Sequence, residues 1–142
     1  MIIYDAEGQI LGRLSSVIAK KLLDGERVMV VNAEKTVVSG GKKATVSQYQ
    51  TRVKRGDPNK GPFFPRTPDG MFRRAVRGML PWKKARGKKA YKSLRVYIGI
   101  PAELESSTGR FEKSKVADAS KLRAKSMTLG ELSVALGMKK RW

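Results

Sequence analysis

Residues 2–31 read IIYDAEGQILGRLSSVIAKKLLDGERVMVV, and they predict a strand, a helix and a second strand in succession. The first strand is the apolar segment 2–4. Apolar side chains then recur at helical spacing, at Leu11, Leu14, Ile18 and Leu22. Gly25 is a suitable end for this helix, and residues 28–31 form a continuous apolar run, typical of a strand buried on both faces. A βαβ unit of this length implies parallel strands and a right-handed crossover.

The elements that follow are shorter. Residues 36–38 predict a strand that is broken at Ser39, and residues 44–55 have the periodicity of a helix. Four prolines make residues 56–68 an extended connector. A helix with Thr67 as its N-cap and a proline at its first position then runs to about Leu80, because Pro81 cannot continue it.

The last part of the chain alternates between regular and irregular segments. Residues 95–100 alternate apolar and polar side chains, which predicts a strand. Residues 103–127 are rich in Ser and Lys and predict an extended arm. Thr128 and Glu131 have the spacing of a capping box, which predicts a short terminal helix through Leu136.

Charge is distributed unevenly along the chain. The 142 residues include 31 Lys/Arg and 12 Asp/Glu, a net charge of +19. Residues 51–95 hold 15 of the basic side chains and only 2 acids. Residues 72–95 hold ten Lys/Arg and no acid, so they would repel one another unless a polyanion neutralised them. A nucleic-acid backbone is the simplest partner for such a segment.

The candidate contacts are the basic side chains of this middle region, together with one aromatic. On the helix after Thr67, Phe72, Val76 and Met79 are predicted to pack on one side, with Ala75 and Leu80, and the arginines to lie on the other. Two roles are open for Trp82, stacking on a base or sugar and capping the core. The backbone N–H groups at Gly40-Gly41 are a possible anion nest. The predicted nucleic-acid-binding residues are Lys42, Lys43, Arg52, Lys54, Arg55, Arg66, Arg73, Arg74, Arg77, Trp82, Lys83, Lys84, Arg86, Lys88, Lys89 and Lys92.

Catalytic chemistry is not expected. The chain has no His and no Cys, so the commonest general base and the thiolate metal ligands are absent. The segment Ser39 to Lys43 fails the phosphate-binding-loop pattern, since Thr36 and Lys43 stand where Gly and Ser or Thr are needed. Asp5 and Glu34 are expected to serve in caps and turns. We therefore predict no enzyme activity, no metal site, no cofactor and no small-molecule substrate.

Membrane association is not expected either. No apolar run approaches the roughly 20 residues that a spanning helix needs. The N-terminal MIIYDAEG also lacks the basic and apolar regions of a signal peptide.

Five segments, in order, resemble one family, the universal large-subunit ribosomal proteins of number thirteen. The first runs from Asp5-Ala6 through Leu11-Gly12-Arg13-Leu14. The other four are Val31-Asn32-Ala33-Glu34, Ser39-Gly40-Gly41-Lys42, Val76-Arg77-Gly78-Met79-Leu80-Pro81 and Leu94-Arg95-Val96-Tyr97-Ile98-Gly99. The connector Gly61-Pro62-Phe63-Phe64-Pro65-Arg66 is similar to that of archaeal members.

The resemblance implies a three-layer α/β/α fold around a four-stranded, mainly parallel sheet. We expect one α/β domain over residues 1–102, in which residues 42–95 are the basic RNA-binding insertion, and a C-terminal arm over residues 103–142. The resemblance also implies a structural, cytoplasmic protein of the large ribosomal subunit. Its partners would be large-subunit (23S-type) rRNA and neighbouring ribosomal proteins, and it would act in early subunit assembly.

Two other functions remain open from the residues alone. A general nucleic-acid-binding architectural protein would share the basic charge, but the chain has no helix-turn-helix or zinc signature. A nucleotide-binding enzyme would share the βαβ unit, and binding of ATP or GTP by the pure protein would distinguish it.

Overall fold

The βαβ unit predicted from residues 2–31 is present in the computed structural model of the protein, which describes residues 1–105 and 111–142. Strand β1 (Ile2–Asp5) leads into helix α1 (Leu11–Leu23), and the chain returns in strand β2 (Val28–Val31). The two strands pair in parallel, with Ile2 opposite Val28. Gly25 ends the helix with a φ of 94°, which a side chain with a Cβ rarely adopts.

The parallel sheet has three strands in the described part of the chain, so the expectation of four is wrong. Strand β4 (Leu94–Val96) pairs with the other side of β2, and the order is β1-β2-β4. Because β2 is central, Val28, Val30 and Val31 are fully buried, as its continuous apolar run predicted.

The strand predicted near residues 36–38 does not join this sheet. Asn32 has a left-handed backbone (φ 56°), and a 3₁₀ turn over Ala33–Lys35 then redirects the chain. The following strand, β3 (Val37–Ser39), pairs antiparallel with β5 (Ser126–Thr128) in a separate two-stranded sheet. The missing fourth strand is thus explained by the turn that follows β2.

The helices pack mainly through α1. It lies against α3 (Pro68–Met79) and α4 (Ala85–Lys92). Leu14 and Ile18 of α1 and Phe72 and Val76 of α3 are fully buried between them. Helix α2 (Lys42–Lys54) is peripheral, because Thr45 is its one buried residue.

The inward face of α3 differs from its predicted face at one end. Phe72, Val76 and Leu80 are buried as predicted, but Met79 is 43% exposed and Met71 is buried instead. Met79 is the last residue of α3, and the extended backbone of Leu80 ends the helix.

The tail after Pro101 packs back onto the domain. It begins with α5 (Ala102–Glu105) and ends with α6 (Leu129–Ala135). Glu112 exchanges backbone hydrogen bonds with the outer edge of β1. The tail also buries Ala117, Met127, Leu129, Leu132 and Leu136 in the main core. The described part of residues 103–127 is therefore not a free extended arm. Residues 106–110 of that prediction lie outside the described residues.

The capping box at the start of α6 is confirmed. The Glu131 N–H donates to Thr128 Oγ1 at 3.2 Å, and the Thr128 N–H donates to Glu131 Oε2 at 3.3 Å. Thr67 occupies the N-cap position of α3 but makes no capping hydrogen bond through its side chain.

Buried polar groups hold the carboxyl ends of the parallel strands. Asn32 Nδ2 donates to Asp5 Oδ1 at 2.9 Å, and the Gly99 N–H donates to Glu34 Oε2 at 3.0 Å. Burial raises the pKa of the Asp5 carboxyl, but hydrogen bonds from Asn32, the Glu7 N–H and Lys113 hold this pKa below its usual value. Both acids thus have the turn-stabilising roles that the sequence predicted.

Across the described ranges, no helix has the length and apolar character needed to cross a membrane.

Candidate nucleic-acid interface

The predicted contact residues lie on four consecutive pieces of the chain. Helix α2 and its C-cap carry Lys42, Lys43, Arg52, Lys54 and Arg55. The connector carries Arg66, and α3 carries Arg73, Arg74 and Arg77. The α3–α4 junction and α4 carry Trp82, Lys83, Lys84, Arg86, Lys88, Lys89 and Lys92. The three α3 arginines and Trp82 are half-buried, and the other twelve are exposed.

Two arginines of α3 lie on an aromatic pair at the α3–α4 junction. The guanidinium carbon of Arg77 is 4.1 Å from the centre of the Trp82 ring. That of Arg73 is 5.0 Å from the centre of the Tyr91 ring. The two rings meet edge to face, with centres 5.2 Å apart. Arg73 and Arg77 are one helical turn apart, and the pair of rings supports both of them.

A second aromatic pair supports two more arginines. Tyr49 of α2 and Phe64 of the connector meet edge to face at 5.7 Å. Arg52 lies over the Tyr49 ring at 5.0 Å, and Arg74 lies over the Phe64 ring at 5.5 Å. This pair therefore joins α2, the connector and α3. We call Arg52, Arg73, Arg74 and Arg77, with their four rings, the arginine–aromatic surface.

Stacking on a ring determines how each guanidinium can act. A cation over an aromatic face gains about 0.5–2 kcal/mol. The ring covers one face of the guanidinium plane, while exposed N–H groups at its edges can still bridge phosphate oxygens. The Nε of Arg73 is buried without a hydrogen-bond partner in the described part of the chain, so Arg73 can offer only its two terminal nitrogens. No ion pair with these four arginines occurs in residues 1–105 and 111–142. The arrangement therefore presents oriented, uncompensated positive charge.

Trp82 combines features of its two possible roles. It is half-buried, one face lies beneath Arg77, and Tyr91 contacts it edge to face. Its immediate role is to position Arg77. Stacking of Trp82 on a base stays a prediction.

Residues 82–89 have almost no apolar side chain apart from Trp82, which predicts a loosely structured segment. This prediction is wrong, because residues 85–92 form helix α4. Lys and Arg are good helix formers, and α4 buries Gly87 and Ala90 against the domain. Gly87 has no side chain, which permits a close approach to its backbone. That approach is internal, because a Cβ on Gly87 would overlap the carbonyl oxygen of Pro81.

We expect Gly87→Ala to lower the free energy of unfolding by about 1–3 kcal/mol, because the new methyl group must displace backbone atoms. Gly78→Ala is the matched control. Gly78 lies inside α3 with open space where its Cβ would be, so this change should raise the free energy of unfolding by about 0.5–1 kcal/mol. Urea unfolding of both variants measures the difference. Equal effects would contradict the packing of α4 on Pro81.

Three predicted residues surround a cleft beside the arginine–aromatic surface. Lys54, Arg55 and Arg66 line it together with Phe63 and Phe64. Phe64 belongs to both features, so the cleft and the surface are continuous.

Lys42 and Lys43 do not join this group. They begin α2, and a helix of this length separates them from Lys54 by about 18 Å. Lys42 Nζ is 3.6 Å from Glu131 Oε2 and is partly neutralised. The predicted anion nest is not free either, because the Gly40 N–H donates to the Lys125 carbonyl at 2.7 Å.

Sequence reasoning missed three of the supporting rings, those of Tyr49, Phe64 and Tyr91. One signal for Tyr49 was available, since Arg52 follows it at a spacing of three on a helix. Phe64 gave no comparable signal, because its contacts come from elements distant in sequence.

Comparison with known proteins gives a consistent result. Residues 1–103 match the family model described as Ribosomal protein L13. A protein of Methanopyrus kandleri named large ribosomal subunit protein uL13 is 50% identical over 136 residues, which cover 95% of this chain and 86% of the relative. The protein of that name from Archaeoglobus fulgidus is 50% identical, covering 96% and 88%. The one from Haloarcula marismortui is 44% identical, covering 99% and 94%.

Proposed function

The chain belongs to the ribosomal protein L13 family, and we propose that it is a structural constituent of the large ribosomal subunit that binds large-subunit rRNA. Proteins of this family are structural and non-enzymatic. The proposal places the protein in the cytoplasm, within the subunit, in contact with neighbouring ribosomal proteins. It includes a role in early subunit assembly.

The arginine–aromatic surface is the observation that best supports RNA binding. It holds four guanidiniums in defined orientations without acidic partners in the described chain. Lys83, Lys84, Arg86, Lys88, Lys89 and Lys92 extend the positive charge along α4. Binding of phosphates by these groups releases condensed counterions, which drives association.

The shape of the surface also favours RNA. The cations lie on three helices and a connector that pack against one core, so the spacing of these elements is set before binding. A preset array suits a folded RNA whose phosphates lie at defined positions, and such RNA is recognised mainly through shape and backbone.

We expect the protein to co-sediment with large subunits in a sucrose gradient at low magnesium, where the subunits separate. Early assembly predicts that newly made protein also appears in precursor particles lighter than the mature subunit. Recovery of the protein only in the free fraction would contradict the proposal. Preferential binding to duplex DNA over large-subunit rRNA would instead favour the architectural alternative.

A further inference from the structure

Phe63 is the most exposed aromatic side chain in the described residues. It is 69% exposed, whereas the adjacent Phe64 is half-buried and packs on Tyr49. Successive side chains of an extended chain point in opposite directions, so burial of Phe64 directs Phe63 outward. Single exposed apolar side chains are common on protein surfaces, so a role for Phe63 depends on the backbone that holds it and on its charged neighbours.

The backbone beneath Phe63 is held by a tight turn. Asp57 and Gly61 exchange two backbone hydrogen bonds, of 3.0 and 2.9 Å. Gly56 and Gly61 both have positive φ, and a Cβ on Gly56 would lie 2.7 Å from the Gly61 backbone. A Cβ on Gly61 would lie 3.2 Å from the Phe63 ring. The ring of Phe63 therefore packs against the backbone of Gly61, and the constrained turn holds it at the surface.

The cleft beside Phe63 contains cations as well as apolar side chains. Lys54, Arg55 and Arg66 line the same cleft. Asp57 is the one acid there, and its Oδ1 accepts the Asn59 N–H. None of the other large apolar side chains exposed in the described residues lines this cleft. An exposed ring with three cations in the same cleft fits a nucleotide, which has an apolar face and an anionic phosphate, better than it fits a wholly apolar protein surface.

We propose that Phe63 stacks on an unpaired base of large-subunit rRNA, while the cations of its cleft contact the flanking phosphates. The inference rests on the proposed function and adds the class of ligand, a nucleotide outside a duplex. Single-stranded bases are the ones that proteins reach by aromatic stacking. Among the described residues, the ring of Phe63 has no arginine over it, whereas the ring of Trp82 already supports Arg77.

The test measures binding of Phe63 variants to a full-length large-subunit rRNA transcript by filter retention at several salt concentrations. Phe63→Ala and Phe63→Leu should each weaken binding roughly 5- to 150-fold, because stacking needs a π face. The dependence of affinity on salt should not change, since no charge is removed. Phe63→Tyr should bind within about threefold of the natural protein, because the ring is kept. Val116→Ala, at a 62% exposed site outside the cleft, is the control and should have no effect.

Two outcomes of the binding test would overturn the inference. Unchanged binding by Phe63→Ala shows that the ring makes no contact with RNA. Binding by Phe63→Leu at the natural level shows an apolar contact without stacking. A photoreactive benzoylphenylalanine at position 63 adds an independent readout, because it should crosslink to rRNA in isolated subunits, and crosslinking only to protein would also overturn the inference.

Failure of this inference is distinguishable from failure of the proposed function. If the natural protein neither binds the transcript nor co-sediments with subunits, the proposed function fails. If the natural protein binds and Phe63→Ala binds equally well, only the stacking contact fails.

Discussion

Replacement of Arg73, Arg74 and Arg77 by Ala is expected to weaken binding to large-subunit rRNA roughly 100-fold at physiological salt, at about 1 kcal/mol for each lost contact. Each guanidinium that neutralises a phosphate releases a counterion. The slope of log affinity against log salt should therefore fall by up to about 3. Filter binding of the rRNA transcript over a range of salt measures both quantities.

Two control variants separate charge from geometry. Changing the same three arginines to Lys keeps the charge, so the salt slope should stay near its natural value. Affinity should still fall, because Lys has no planar fork to stack on a ring or bridge two oxygens. Ala at Arg13, Lys20 and Lys21 removes three exposed charges on α1 and should change the slope much less. A triple Ala variant with the natural slope would exclude this face of α3 from the interface.

Truncation of the chain after residue 102 is expected to abolish cooperative unfolding. It removes five core side chains, those of Ala117, Met127, Leu129, Leu132 and Leu136. The three leucines and the methionine are each worth about 1.5–3 kcal/mol of burial. Their combined loss is comparable to the whole stability of a domain, about 5–15 kcal/mol. Thermal unfolding followed by circular dichroism measures the effect.

A graded series tests the same point without complete loss of the fold. Leu132→Ala should lower the free energy of unfolding by about 2–5 kcal/mol, since Leu132 is fully buried. A chain ending at Gly137 keeps all five core residues and should still unfold cooperatively. Natural stability in the 1–102 fragment would support the predicted domain boundary and contradict the role of the tail in the core.

Local sequence signals predicted the elements whose causes lie within a few residues. The spacing of Leu11, Leu14, Ile18 and Leu22 produced α1, and Thr128 with Glu131 produced the capping box of α6. Local signals gave a wrong prediction where contacts with distant residues determine the structure. Residues 103–127 show weak periodicity, yet Met127 is buried because β5 pairs with β3, nearly 90 positions earlier.

The candidate interface divides in the same way. The amino-acid composition identified the cations, because an excess of Lys and Arg over Asp and Glu can be read directly from the sequence. The aromatic rings that support those cations could not be identified from the sequence. Arg74 contacts Phe64, and Arg73 contacts Tyr91, only after the helices pack. Phe63 and Phe64 are adjacent residues of the same type. Only the packing of α2 on the connector shows that the ring of Phe64 is covered and the ring of Phe63 is exposed.

The sequence by itself determined the parallel βαβ start, the basic middle segment and the family, because each depends on residue order and composition alone. The tertiary structure alone decided the three-stranded sheet, the return of the tail into the core and the orientation of the arginines. These depend on contacts between residues far apart in the chain. Such contacts form only when burial of apolar surface outweighs the entropy lost in bringing the segments together.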